Sequence, residues 1–407
     1  MVRVSLLYLD TARLGQACPR VVQAQHDFIR LSADDPSMYG EVFFRDGSRG
    51  WSDRLLRDYP GFRDWQGIGS LKQQVTQHFG IQAPENIFLA NRSIQLIRTA
   101  ARLMFRNCRN VLTSDLNWPH WQAVVADEAA RSRQRVTLAS ISGAVFDGHV
   151  SADEVTEQLT QRFIETDCDG LFLPAVTNLG VRLPVTRVLS RLKASGRLRF
   201  AMIDAAQSFC HLQEPSPAKL ADVTITGCHK WLRGALPLGI AVCRLPLVAE
   251  QFLAILRSPD SSDLDDPLLR FSEEVCDHSV NGFMETVNVA PLFSANAAIR
   301  SRRTDSDELR LQGRRQMTNV EAIRASANAT SWQVVATDES LQTGIVLMRS
   351  TSQTVQKMDC EEVRTRFRKQ DVALSTYPQG LIRISAPTAQ ISDQSVGTLA
   401  DAFERVR

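Results

Sequence analysis

Two short apolar runs, FAMI (200–203) and ADVTI (221–225), each end in a turn loaded with reactive side chains. The first opens onto Asp204, Gln207 and Ser208, the second onto Cys228, His229 and Lys230. Apolar runs of this length read as buried strands of a parallel sheet. In open α/β sheets, ligands bind beyond the carboxyl ends of the strands. Asp204, Gln207, His229 and Lys230 are therefore expected to converge on one crevice. A buried lysine amine whose pKa is lowered by desolvation or a neighbour forms a Schiff base with an aldehyde. A carboxylate against a pyridine nitrogen keeps that nitrogen protonated and turns the ring into an electron sink. Of the six lysines, only Lys230 ends a strand-like run with a histidine before it and a tryptophan after it.

This acid and lysine are together what a protein contributes to pyridoxal 5′-phosphate (PLP) chemistry. A second stretch adds an anion site. The strand-like residues 86–90 lead into Asn91, Arg92 and Ser93 and then the helical run IQLIRTAARLMF. A polar turn at a helix start aims free N–H groups and the helix dipole at a phosphate. Near the C-terminus, Arg383 lies in G-L-I-R-I-S. Its planar fork suits bidentate binding of a carboxylate.

The pattern D-A-A-Q-S followed by T-G-C-H-K-W-L resembles the class V aminotransferase family, a branch of the fold-type I PLP-dependent enzymes that includes cysteine desulfurases and isopenicillin-N-epimerase-like proteins. The order of the other landmarks agrees: Y-L-D-T-A at 8–12, T-N-L-G-V-R-L-P at 177–184, and E-T-V-N-V-A-P at 285–291. The resemblance spans roughly residues 8–385. It implies an α/β fold with a mostly parallel, seven-stranded-type sheet, helices on both faces, and a smaller α+β C-terminal domain. It implies three parts: an N-terminal segment (1–60) packed on the active site and the small domain, a large PLP-binding domain (61–290), and a small domain (291–407). Lys230 is then the catalytic residue. The resemblance places Asp204 at the pyridine nitrogen, and Gln207 and Asn178 near the phenolate oxygen. It places Asn91, Arg92, Ser93 and His229 around the phosphate, joined by Thr286 from a partner chain, which implies a homodimer with sites at the subunit interface. The stacking aromatic falls on Trp118, with His120 as the alternative. Arg383, with Arg13 from the N-terminal segment, meets the substrate carboxylate. Departures from the family pattern are Glu285, where the family has glycine, and a turn around Asn178 that is one residue shorter.

The implied activity is chemistry on an α-amino acid initiated at Cα. A lyase of the β-elimination or C–S type, or an epimerase, is the leading expectation. A transaminase is the alternative, and a catalytically degenerate PLP-fold scaffold is the reading from another class. No cysteine lies between Ser326 and Met348, and Cys360 reads as a helix start, so transfer of sulfur to a mobile cysteine is not expected. The net charge of +2 and the absence of a long basic run give no case for nucleic acid. No apolar run is long enough for a bilayer span and no signal peptide is visible, so the cytoplasm is the expected location. The eight cysteines are scattered without a C-x-x-C pair, so neither a metal site nor a disulfide framework is expected. Residues 32–61 read as a long irregular stretch, 135–142 as a strand, and 257–277 as a surface excursion.

Overall fold

The computed structural model describes residues 6–212, 216–276, 286–302 and 306–407. Seven strands form the main sheet: β1 (Ile87–Ala90), β2 (Asn110–Ser114), β3 (Arg135–Ala139), β4 (Gly170–Pro174), β5 (Phe200–Asp204), β6 (Val223–Gly227) and β7 (Gly239–Cys243). Their spatial order is β1-β7-β6-β5-β4-β2-β3. Only β7 runs against its neighbours. Every residue of the strands other than β3 is buried. That explains why these strands read as unbroken apolar runs rather than alternating ones: both faces are covered by helices.

Among the helices packed with this sheet are α1 (Pro19–Asp34), α2 (Gly67–Phe79), α3 (Ser93–Asn107), α4 (Pro119–Arg131), α5 (Pro267–Val275) and α6 (Ala290–Ser301). α3 and α4 bury Leu96, Ala100, Val124 and Val125 on one face of the sheet. α1, α2 and α6 pack in the core on the other side. α2 ends at Gly80, whose φ of +65° is the left-handed conformation a helix C-terminus favours. Ser151 and Glu154 form the expected reciprocal capping box before the helix Ala152–Glu165.

A second, antiparallel sheet follows, with β8 (Trp332–Val334), β9 (Ile345–Ser350), β10 (Ser375–Tyr377) and β11 (Leu381–Ser385) in the order β10-β11-β9-β8. It has its own core around Trp332, Phe367 and Phe403. The N-terminal segment joins this unit. Leu7 and Tyr8 pair in parallel with Val372 and Ala373, and Leu9 is buried in the same core. α6 starts at the expected boundary, residue 290, and runs past it, yet it packs with α1 and α2 in the large-sheet core.

Three local expectations are corrected. Residues 32–61 are not irregular. They form short helices at Glu41–Asp46 and Asp53–Asp58, because Phe43, Phe44, Tyr59 and Phe62 are pulled into an aromatic core. Phe293 of α6 is its hub, with the Phe62 and Trp65 rings both 4.9 Å away. The strand at 135–142 stops at Ala139. Asp115 accepts the Ile141 and Ser142 N–H groups at 3.0 and 3.1 Å and turns the chain into a short helix. The stretch 257–277 is not a surface excursion. α5 buries Leu268, Leu269 and Ser272 against β1, and its Glu273 meets Lys72 of α2 at 2.7 Å with both side chains buried.

Replacing Phe293 with alanine removes the hub of the aromatic core. The expected cost is about 3–5 kcal/mol of folding free energy, the range for large aromatic truncations. A chemical-denaturation curve checks this: the midpoint should fall markedly while the slope stays the same.

Candidate active site

β5 and β6 are adjacent and parallel, with Asp204 opposite Ile225. This brings the end of β5 alongside the turn that follows β6. Asp204 is 8% exposed, and its carboxylate accepts the Ala206 N–H at 2.8 Å. Burial raises its pKa. Lys230, the Ala206 N–H and a hydrogen bond from the Trp121 side chain oppose that shift. Lys230 is half-buried on the cavity wall. Burial lowers its amine to about 8, opposed by Asp204 and reinforced by Arg383. His229 is lowered to about 4 by burial and by Lys230, and its buried Nδ1 has no hydrogen-bond partner among the described residues.

Backbone contacts hold the lysine turn. Cys228 N–H donates to Leu238 O at 3.0 Å, and Gly15 N–H donates to His229 O at 2.7 Å. A Cβ on Gly15 would lie 2.1 Å from Lys230 O, so only glycine lets the N-terminal segment approach this closely. Arg233, at φ +68°, turns back to donate from its N–H to Lys230 O at 3.0 Å and from Nε to Gln16 O at 2.7 Å.

The β1–α3 turn forms the second wall. No side chain caps α3, and Ser93 is its first helical residue, so the N-terminal N–H groups are left for a ligand. Gly239 of β7 passes so close that a Cβ there would sit 2.5 Å from Ser93 N. Arg92 and Ser93 line the cavity, but Asn91 does not. Asn91 donates from its backbone N–H and side-chain amide to Asp266 at 3.0 and 3.1 Å, and Asp266 also caps α5 through Leu269 N–H at 3.0 Å. A buried carboxylate beside the turn competes for Asn91, which corrects its expected place at the phosphate.

Between these walls and the second sheet lies a cavity of 690 Å³. Gln207 reaches it with its amide already engaged. Nε2 donates to Ala12 O at 2.7 Å, and Oε1 accepts the Trp231 indole N–H at 2.8 Å. Arg383 is 4% exposed. Its Nη1 donates to Asn178 O at 2.8 Å. Its Nη2 donates to Ser375 Oγ at 3.0 Å and faces Asp10 at 3.4 Å, while Nε has no hydrogen-bond partner among the described residues. Asn178 lines the cavity and hydrogen-bonds the Tyr377 phenol, whose pKa burial raises. Trp118, 42% exposed, and His120 stand at the mouth, and Arg13 lies on the wall. Thr286 is exposed and does not line this cavity, while Glu285 lies outside the described residues. Sequence reasoning missed Trp121, Arg364 and Tyr377 on the wall and Asp10 behind Arg383. Of these, only Asp10 had a visible signal, as the acid of the Y-L-D opening.

No protein-family model matches the sequence, and no curated protein does. Solved structures match over the whole chain. The cysteine desulfurase CsdA from Escherichia coli superposes with a TM-score of 0.67 at 15% identity, over 98% of this chain and 94% of that one. The ureidoglycine-glyoxylate aminotransferase of Bacillus subtilis gives a TM-score of 0.67 at 13% identity, over 100% and 94%. The cystine C-S lyase C-DES, seen with its product cysteine persulfide, gives 0.66 at 15% identity, over 98% and 98%. The fold is that of the class V aminotransferases. At these identities the likeness extends to architecture, so the roles of individual residues in this class V fold rest on the geometry above.

The two opposing influences on Lys230 make a signed prediction. Asp204 favours the ammonium form, so Asp204→Asn should move the Lys230 midpoint below about 8. Competitive acylation of the cofactor-free protein across pH, read on the Lys230 peptide, tests this. An unchanged or higher midpoint would mean that the two groups do not interact.

Proposed function

We propose that this chain is a PLP-dependent enzyme that acts on an α-amino acid by removing its Cα proton, as a lyase of the β-elimination or C–S type or as an epimerase. The observation that carries this reading is Lys230, lowered to about 8, in the same crevice as the buried Asp204. The remaining groups fit PLP. Uncapped N–H groups at α3, Arg92, Ser93 and the unpartnered His229 Nδ1 suit a phosphate, and the backbone pinch at Gly239 shapes that pocket. A C-DES mutant with glycine covalently linked to its PLP cofactor shares the fold, at 14% identity.

When bound, PLP supplies an electron sink for charge that develops at Cα. Asp204 holds a proton on the pyridine nitrogen. Lys230 would hold the aldehyde end of the cofactor, and its free amine would accept the Cα proton as general base. A pKa near neutrality suits that exchange of roles. Arg383 orients the substrate through its carboxylate. Trp118 shields the site as a stacking surface and transfers no proton, which leaves proton transfer to Lys230. Thr286, exposed on this chain, reaches the phosphate of a second subunit in a homodimer. The protein works in the cytoplasm.

An absorbance scan of the purified protein, repeated while α-amino acids are added, tests the reading. A visible PLP band that shifts or bleaches with one amino acid is expected. Release of ammonia or sulfide with a keto acid marks a lyase, loss of optical activity an epimerase, and formation of the amine form of the cofactor a transaminase. Lys230→Ala should lose the borohydride-reducible band of the resting protein. A protein that takes up no PLP would overturn the proposal.

A further inference from the structure

The charges on the cavity wall do not balance for a simple amino acid. Arg13, Arg92, Arg364, Arg383 and Lys230 line it, and among the described residues Asp204 is the only carboxylate that does. Under the function proposed above, Arg92 serves the phosphate, Lys230 and Asp204 serve the cofactor ring, and Arg383 takes the α-carboxylate. Two guanidinium groups remain.

Each keeps donors that no partner among the described residues takes up. Arg13 comes from the N-terminal segment with its side chain 61% exposed. Its nearest carboxylate oxygen is Asp10 Oδ2 at 3.9 Å, beyond hydrogen-bond distance, while Asp10 Oδ1 accepts from Ser375 Oγ at 2.5 Å and faces Arg383. Arg364 lies on α7 (Cys360–Arg368). It pairs with Glu361, which is 71% exposed, so that contact is screened by water. Its Nη2 reaches Thr376 Oγ1 only at 3.5 Å, and its buried Nε has no hydrogen-bond partner among the described residues. Thr376 and Tyr377, next to Arg364 and Arg383 respectively, line the same cavity. Guanidinium groups with spare donors on a shared wall favour a planar oxyanion.

We infer that Arg13 and Arg364 form a second anion subsite, and that the substrate is an α-amino acid with a carboxylate on its side chain. This rests on the proposed function for the role of Arg383. The subsite distinguishes a dicarboxylic amino acid from an apolar one through charge-assisted hydrogen bonds that an apolar side chain leaves unmade.

The test is calorimetric binding of succinate and of butyrate to the PLP-treated protein. These two acids differ in one carboxylate, and neither carries an amine that reacts. Succinate should bind about tenfold or more tightly than butyrate, the ratio expected from one added charge-assisted contact. Arg13→Gln and Arg364→Gln should each erode that ratio, and Arg364→Lys should keep part of it. Equal affinities in the native protein, or a preference that survives in the double glutamine variant, would overturn the inference. PLP uptake is read separately by absorbance in the same samples. A failure of the PLP reading is thereby told apart from a failure of the subsite.

Discussion

Everything in the crevice depends on keeping an amine and a carboxylate together where water is scarce. Burial opposes the charge of both Asp204 and Lys230, and each offsets part of the other's penalty. Burial is the larger influence on both, so the acid is shifted up and the amine down. The result is a lysine whose amine loses its proton far more readily than a surface lysine does. The geometry behind it is the register of β5 against β6. Side chains alternate faces along a strand, so a slip of one residue would turn Asp204 to the opposite face of the sheet.

A second constraint is the N-terminal segment, which runs between the two sheets. Leu7–Tyr8 pairs with the small unit, Asp10 faces Arg383, Ala12 O accepts from Gln207, and Gly15 N–H donates to His229 O. The nine residues Leu7–Gly15 thus tie the small-domain wall of the cavity to the turn that carries Lys230. Gln207 and Arg383 belong to both jobs. Gln207 spends its amide on the segment and on Trp231, and Arg383 is held by Asp10, Ser375 and Asn178. Docking of the segment and readiness of the site are therefore coupled.

The strands and the placement of the polar residues at their ends were legible because both are local. Unbroken apolar runs signal strands buried on both faces, and Asp204 and Lys230 sit directly after such runs. What escaped is non-local. The aromatic residues of 32–65 have no helical period, and they fold as they do because Phe293 waits far along the chain. The Ser-, Asp- and Pro-rich look of 257–277 hides α5, whose cap Asp266 lies 175 residues from the Asn91 it holds. Arg364 sits on a short helix with two other arginines in its nine residues, where a solvated face is the natural reading. Only the tertiary fold brings it to the cavity.

The central claim is that Lys230 is the residue that binds the cofactor covalently. Borohydride reduction of the PLP-treated protein, followed by peptide mass mapping, examines all six lysines at once. A stable pyridoxyl adduct is expected on the peptide that contains Lys230, with the other lysines unmodified at equimolar cofactor. An adduct on a different lysine, or none, would contradict it.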